Sequence, residues 1–193
     1  VSGLTYTSTE PPVIHVGIDP SYSAFAMVAH VTGPKENGHH QWLWDFSPSK
    51  AGRAGARLRC IQATLRDAFG EIHSHGRIAV VALEGYAPGR TQNREVMGEL
   101  GGVVKMVLDE EVGDGRVFVV APTALKKFVT GSGSAPKDNV LLQVYKKWGV
   151  EFRSNDVADA FGLMQVARAL NYGAERAYEQ EVIKSLLAKQ DNG

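Results

Sequence analysis

The apolar positions of the chain come first in short runs and later at helical spacing. Val13 to Ile18, Ala24 to Val31 and Gln41 to Phe46 read as strands, and in the third Trp42, Trp44 and Phe46 alternate with Leu43 and Asp45. Gly33-Pro34 and Asn37-Gly38 punctuate the connection between the second and third. From about Gly55 to His73, the residues Leu58, Ile61, Leu65, Ala68, Phe69 and Ile72 fall on one helical face. Ile78 to Leu83 is continuously apolar, which fits a strand buried on both sides. A helix from about Asn93 to Glu110, a strand from Val117 to Val120, and helices near Pro122 to Val129, Pro136 to Trp148, Asp156 to Leu170 and Ala174 to Ala188 complete the pattern. Adjacent early strands favour antiparallel pairing and the later strand–helix alternation favours parallel crossovers. The expected class is therefore α/β, a mixed sheet with helices on its faces.

Composition narrows this little. A chain of 193 residues with 44% hydrophobic and 22% charged residues suits one domain with its own core. Residues 1–12, polar and ending in Pro11-Pro12, read as a flexible leader; 13–172 read as the domain and 173–193 as a helical extension. The amphipathic stretch Tyr178 to Leu187 in that extension reads as a packing face. The single cysteine, Cys60, sits in an apolar helical run and reads as a buried structural thiol. No stretch reaches the roughly 18 uninterrupted apolar residues that a membrane span needs, so a soluble, cytoplasmic protein is expected.

Charge is more informative in its distribution than in its sum. The formal net charge is zero, which taken alone argues against a nucleic-acid binder. Between Gly115 and Val150, however, Arg116, Lys126, Lys127, Lys137, Lys146 and Lys147 face the single acid Asp138. Acids collect elsewhere, at Asp109, Glu110, Glu111 and Asp114.

Four acids stand where chemistry could use them. Asp19 ends the first buried strand in Val-Gly-Ile-Asp-Pro-Ser, and Glu84 ends the fourth in the same way. Asp156 and Asp159, three apart at the start of a helix, share one face of its first turn. Each has a plain explanation as well: Asp-Pro forms turns, and Ser154 or Asp156 could cap the helix. Together they are a hard-oxygen donor set suited to magnesium ions that activate water and stabilise a leaving oxygen. Zinc is not expected, because one cysteine and six scattered histidines show neither HExxH nor paired CxxC ligands. The turn Gly131-Ser-Gly-Ser-Ala-Pro-Lys137-Asp138 lacks the second glycine and the Ser/Thr of a nucleotide-binding P-loop. It could approach a DNA phosphate, or simply join two helices.

The ordered segments Gly17-Ile-Asp19-Pro, Val81-Ala-Leu-Glu84-Gly, Leu125-Lys126 through Gly131-Ser-Gly-Ser-Ala-Pro-Lys137, and Asp156-Val-Ala-Asp159-Ala resemble RuvC-type Holliday-junction resolvases, most closely their phage-borne branch. The match runs from about residue 14 to residue 170. It implies an RNase H-like fold with a five-stranded mixed sheet, and a homodimer that nicks two strands of a four-way DNA junction symmetrically, leaving 5′-phosphates. It further implies two Mg2+ ions, with Mn2+ as a substitute, held by Asp19, Glu84, Asp156 and Asp159. By the same resemblance Lys137 lies near the scissile phosphate, Lys126 holds the DNA strand, and Tyr86 stacks on a base near the crossover. Ala87-Pro88-Gly89 departs from the bacterial pattern there. Arg90, Arg94 and Lys127 are further candidate phosphate contacts, and the helix bearing Gly98, Gly101 and Gly102 corresponds to the dimer interface. Glu99 reads as an interface or surface residue and not a ligand. Competing readings are a broader branched-DNA or flap nuclease, a catalytically silent junction-binding protein, and an actin-like kinase or ATPase, the last without recognisable phosphate loops.

Overall fold

The computed structural model describes residues 11–34, 36–85, 94–113 and 115–190. Strands β1 (Val13–Asp19), β2 (Phe25–Thr32) and β3 (Asn37–Trp44) form an antiparallel meander. β4 (Arg77–Glu84) pairs parallel with β1, and β5 (Val117–Val120) pairs parallel with β4, giving a five-stranded mixed sheet in the order β3-β2-β1-β4-β5. The helices are α1 (Pro48–Ala51), α2 (Ala54–His75), α3 (Arg94–Glu111), α4 (Pro122–Thr130), α5 (Lys137–Trp148), α6 (Asn155–Tyr172) and α7 (Ala177–Gln190).

Each face of the sheet has its own core. Ile14, Val16 and Ile18 of β1 pack with Ile61, Leu65 and Phe69 of α2 and Leu100, Val104 and Leu108 of α3. On the other face Ala26, Val28 and Ala82 meet Ala160, Leu163, Met164 and Ala167 of α6, and α4, α5 and α7 close over that helix. α6 is thus buried on nearly all sides, as its almost uniformly apolar sequence requires. Phe161, Leu163, Met164 and Val166 are each essentially inaccessible to solvent, and such burial stabilises by about 1.5–3 kcal/mol per large side chain.

Some expectations needed correction. β3 starts four residues before its predicted place, so Asn37-Gly38 lies inside the strand, paired with Thr32 and Val31, and Gly33-Pro34 makes the turn. Ladder pairing with β2 extended the strand beyond its aromatic run. The short helix α1 was not foreseen; one turn begun by Pro48 leaves no periodicity to detect. Cys60 is half-buried at the rim of the α2 core and not enclosed in it. The expected leader lies outside the described residues as far as residue 10; Pro12 already docks, its carbonyl accepting from the Arg77 amide at 2.8 Å.

One contact sets the spacing of the helix layer. A Cβ on Gly17 would lie 2.1 Å from the Ala160 carbonyl oxygen and 2.2 Å from the Met164 amide, so α6 rests directly on the backbone of β1. Because both neighbours are main-chain atoms, no rotamer change relieves the overlap. Gly17→Ala should therefore destabilise the protein by at least the roughly 1–3 kcal/mol usual for overpacking, read as a lower urea midpoint. A midpoint equal to wild type would contradict this packing.

Candidate functional site

The strand ends bring two of the acids side by side. β1 and β4 are adjacent and parallel, with Ile18 opposite Leu83, so Asp19 and Glu84 end neighbouring strands at the same edge. Which face they occupy depends on a shift in register: Ile14 pairs with Ile78, but His15 pairs with Val80, leaving Ala79 as an extra residue in β4. Simple alternation from Ile78, which faces α2 and α3, would put Glu84 on that face. After the shift Leu83 faces α2 and α3, and Ala82 faces α6. Glu84 therefore falls on the α6 face, in register with Val120 of that core. Asp19 alternates with Ile18 and pairs with Ala26, which places it on the same face, and it is buried.

The direction of α6 brings the other two acids toward this edge. Ala160 covers Gly17, while Asn171 near the helix end donates from Nδ2 to His15 Nε2 at 3.1 Å. The helix thus runs opposite to β1, and its first turn, with Asp156 and Asp159, lies toward the end of β1 that carries Asp19. Ser154 is the N-cap: its Oγ accepts from the Asp156 amide at 3.2 Å and also donates to Asp156 Oδ2 at 3.2 Å. The capping role that could have explained Asp156 therefore belongs to Ser154.

The basic candidates divide by surroundings. Lys126 lies on α4, half-exposed. Gly131 ends that helix in the left-handed conformation, φ 85°, its amide donating to the Lys127 carbonyl, and the turn leads to Lys137, the first residue of α5. Lys127 is drawn the other way, into an ion pair with Glu181 of α7. Lys147 is buried: its Nζ meets Glu179 Oε1 at 2.7 Å and donates to the Phe128 and Val129 carbonyls at 2.9 and 3.1 Å. Two lysines of the basic segment thus hold α7 in place. Arg94 opens α3, and Glu99 is exposed on it. Tyr86 and Arg90 lie outside the described residues.

No protein-family model and no curated protein matches the chain. Solved structures do. The Thermus thermophilus RuvC structure superposes with a TM-score of 0.63 at 22% identity, over 83% of this chain and 96% of that one. T. thermophilus RuvC in complex with Holliday junction substrate superposes with a TM-score of 0.62 at 20% identity, over 92% of this chain and 96% of that one. The chain has the RuvC fold. Its five-stranded mixed sheet flanked by helices is the RNase H-like architecture expected from the sequence.

Within this RuvC fold the four acids supply only carboxylate oxygens, which suits hard divalent cations such as Mg2+ or Mn2+ over zinc. Two features escaped the sequence reading, one beside this edge and one at the opposite end of the sheet. Tyr22, in the β1–β2 turn, donates its hydroxyl to the Val96 carbonyl at 2.9 Å beneath the Arg57 guanidinium, tying the turn after Asp19 to the first turn of α3. The second is a group of three side chains with donor atoms a metal ion could use, Glu36, His40 and His75, whose donor atoms all lie within 4.8 Å of one another. His75 is 39 positions from Glu36, and no spacing rule joins them.

Away from the acids, β1, β2 and α6 enclose His15 and His30. Burial, then the charge of Arg168, lowers each imidazole from 6.5 to about 4. With Nε2 of His15 accepting from Asn171, its proton sits on Nδ1, buried without a partner among the described residues. An unfolded chain takes up these protons near 6.5 and the folded chain only near 4, so stability must decline as pH falls through that interval. Burial works to raise the Glu179 carboxyl, but hydrogen bonds from Lys147 and the Arg176 amide bring it below its ordinary value, which adds a loss at still lower pH. Thermal midpoints measured from pH 7 down to pH 4 should fall, and His15→Gln should flatten the profile. An unchanged slope in the variant would exclude His15 as a source.

Proposed function

We propose that the chain is a divalent-metal-dependent endonuclease acting on branched DNA, with four-way junctions as its principal substrate. The reading is supported by Asp19 and Glu84 on one face of neighbouring strand ends and by the direction of α6, whose first turn, bearing Asp156 and Asp159, lies toward that edge. The fold shared with a RuvC bound to a Holliday junction supports the choice of substrate.

The four carboxylates would hold two Mg2+ ions, which when bound supply an activated water and stabilise the departing oxygen. The chain's own groups do the rest. The rigid strand ends fix Asp19 and Glu84, and the Ser154 cap fixes the turn that carries Asp156 and Asp159. Lys137 offsets charge that develops on the phosphate, and Lys126 with Arg90 and Arg94 binds the strand. Lys127 contributes to DNA binding only by leaving Glu181. Tyr86 stacks on a base beside the crossover. Attack in line by water leaves a 5′-phosphate with no covalent intermediate, and phage origin fits the resemblance of the motifs.

A two-fold substrate calls for a two-fold enzyme, and α3 offers a surface for one. Its outer side carries exposed Val96 and Met106, with open space at Gly98 and Gly102 that would let a second helix approach closely. Symmetric nicking follows if two copies pair there. Met106→Glu should then convert a dimer to a monomer in sedimentation velocity, and an unchanged sedimentation coefficient would place the interface elsewhere.

The deciding experiment is cleavage of labelled four-way junctions, forks, flaps and linear duplex with Mg2+. Wild type should nick junctions fastest, and Asp19→Asn should lower the rate at least about a hundredfold while still binding the junction. Equal rates on every branched substrate would assign a broader branched-DNA nuclease. Wild type as inactive as Asp19→Asn, with both binding, would assign a silent junction binder and overturn the proposal.

A further inference from the structure

The group Glu36, His40 and His75 lies at the other end of the sheet. Glu36 belongs to the β2–β3 connection, His40 to β3, and His75 is the last residue of α2, immediately before Gly76 and the start of β4. Glu84 ends that strand seven residues after Arg77, so roughly 20 Å of strand separates the group from the carboxylate edge. Glu36 Oε1 lies 2.7 Å from His40 Nε2, and Glu36 Oε2 lies 2.8 Å from His75 Nδ1. The imidazole centroids are 4.7 Å apart, and the three side chains are 29–36% exposed, open to a solution ion without being loose. His40 also stacks on Trp42, centroids 6.2 Å apart and 21° between planes, which restrains the ring before any ligand arrives.

We propose that Glu36, His40 and His75 bind a divalent transition-metal ion of the zinc class. Two imidazoles and a carboxylate are borderline donors that select zinc, cobalt or nickel over magnesium, the reverse of an all-carboxylate set. The distances allow it. Tetrahedral ligands about 2.1 Å from zinc are about 3.4 Å apart, so the two Glu36–imidazole contacts, at 2.7 and 2.8 Å, open by roughly 0.6 Å, and the ligand atoms already lie within 4.8 Å of one another, changes within the reach of side-chain rotation. The ion takes the imidazole nitrogens that now hydrogen-bond to Glu36; a neutral ring then carries its proton on its other nitrogen, and a charged ring releases one to solvent. Three protein ligands leave the fourth position to water. Because the ligands come from a hairpin, its edge strand and a helix end, the ion clamps the β2–β3 hairpin to α2 and stabilises the fold where that strand is otherwise paired on one side only.

The test is calorimetric titration of untagged, full-length protein with Zn2+, accompanied by thermal midpoints with and without the ion. Wild type should bind one Zn2+ per chain at this site and melt higher when loaded. Glu36→Gln and His40→Ala/His75→Ala should each weaken that binding at least about tenfold and lose the shift in midpoint, whereas Asp19→Asn should keep both. Circular dichroism of the metal-free variants checks that they fold, and Glu36→Gln, with the smaller change in shape, keeps the test valid if the double variant does not. Undiminished binding in Glu36→Gln and the double variant, or binding lost only in Asp19→Asn, would overturn the proposal, as would no binding by wild type. Magnesium-dependent nicking tests the other site separately.

Discussion

The close approach of α6 to β1 at Gly17 is the constraint on which the rest of this architecture depends. A helix laid on a sheet normally stands off by the depth of its side chains; here Ala160 and Met164 reach the strand backbone because position 17 has no side chain. The helix sinks deep enough to need cover on its other side, which α4, α5 and α7 provide. That depth also sets how near its first turn comes to the strand ends. Asp19 lies two positions after Gly17, and Ala160 directly follows Asp159, so the packing contact and these acids are neighbours in both elements.

A second constraint works through strand phase. A strand alternates its side chains with period two, and a single extra residue exchanges its faces. The shift at Ala79 lets β4 begin with Ile78 toward α2 and α3 and still end with Glu84 toward α6. Without it Glu84 would face the opposite core, away from the face that Asp19 occupies. The irregularity lies at the start of β4 and its effect at the end, since everything between them is rigid ladder.

Much of this was legible in the sequence because it was carried by local signals. Buried strands betray themselves by continuous apolar runs, and Asp19 and Glu84 stood out because each interrupts such a run at its end. Asp156 and Asp159 stood out by helical spacing. What stayed hidden depends on contacts between distant segments. Gly17 reads as one glycine in a strand until α6 is placed on it. The shift at Ala79 is silent, since Ala79 and Val80 are as apolar as their neighbours. β3 was misplaced because its first residues, Asn37-Gly38-His39-His40, have turn-like and polar character, and pairing with β2 alone makes them strand. The grouping of Glu36 and His40 with His75 arises only where a hairpin meets a helix end, so spacing along the sequence does not reveal it.

The charge pattern invites the same caution. Counting along the sequence credits the segment from Gly115 to Val150 with six basic groups, as if all were open to phosphate. In the fold, Lys147 is enclosed with Glu179 and two carbonyls, and Lys127 pairs with Glu181. A buried ion pair contributes little net stability, but losing one partner leaves an uncompensated charge, so neither Glu179 of α7 nor Lys147 of α5 can be replaced alone without cost. The C-terminal helix therefore determines which lysines of the basic segment stay outside internal ion pairs. Lys126, at the half-exposed surface of α4, and Lys146, exposed on α5, are not in those pairs. A chain of zero net charge thus loses two of this segment's positive groups to the acids of α7, so charge counted along the sequence overstates the potential that the segment can present.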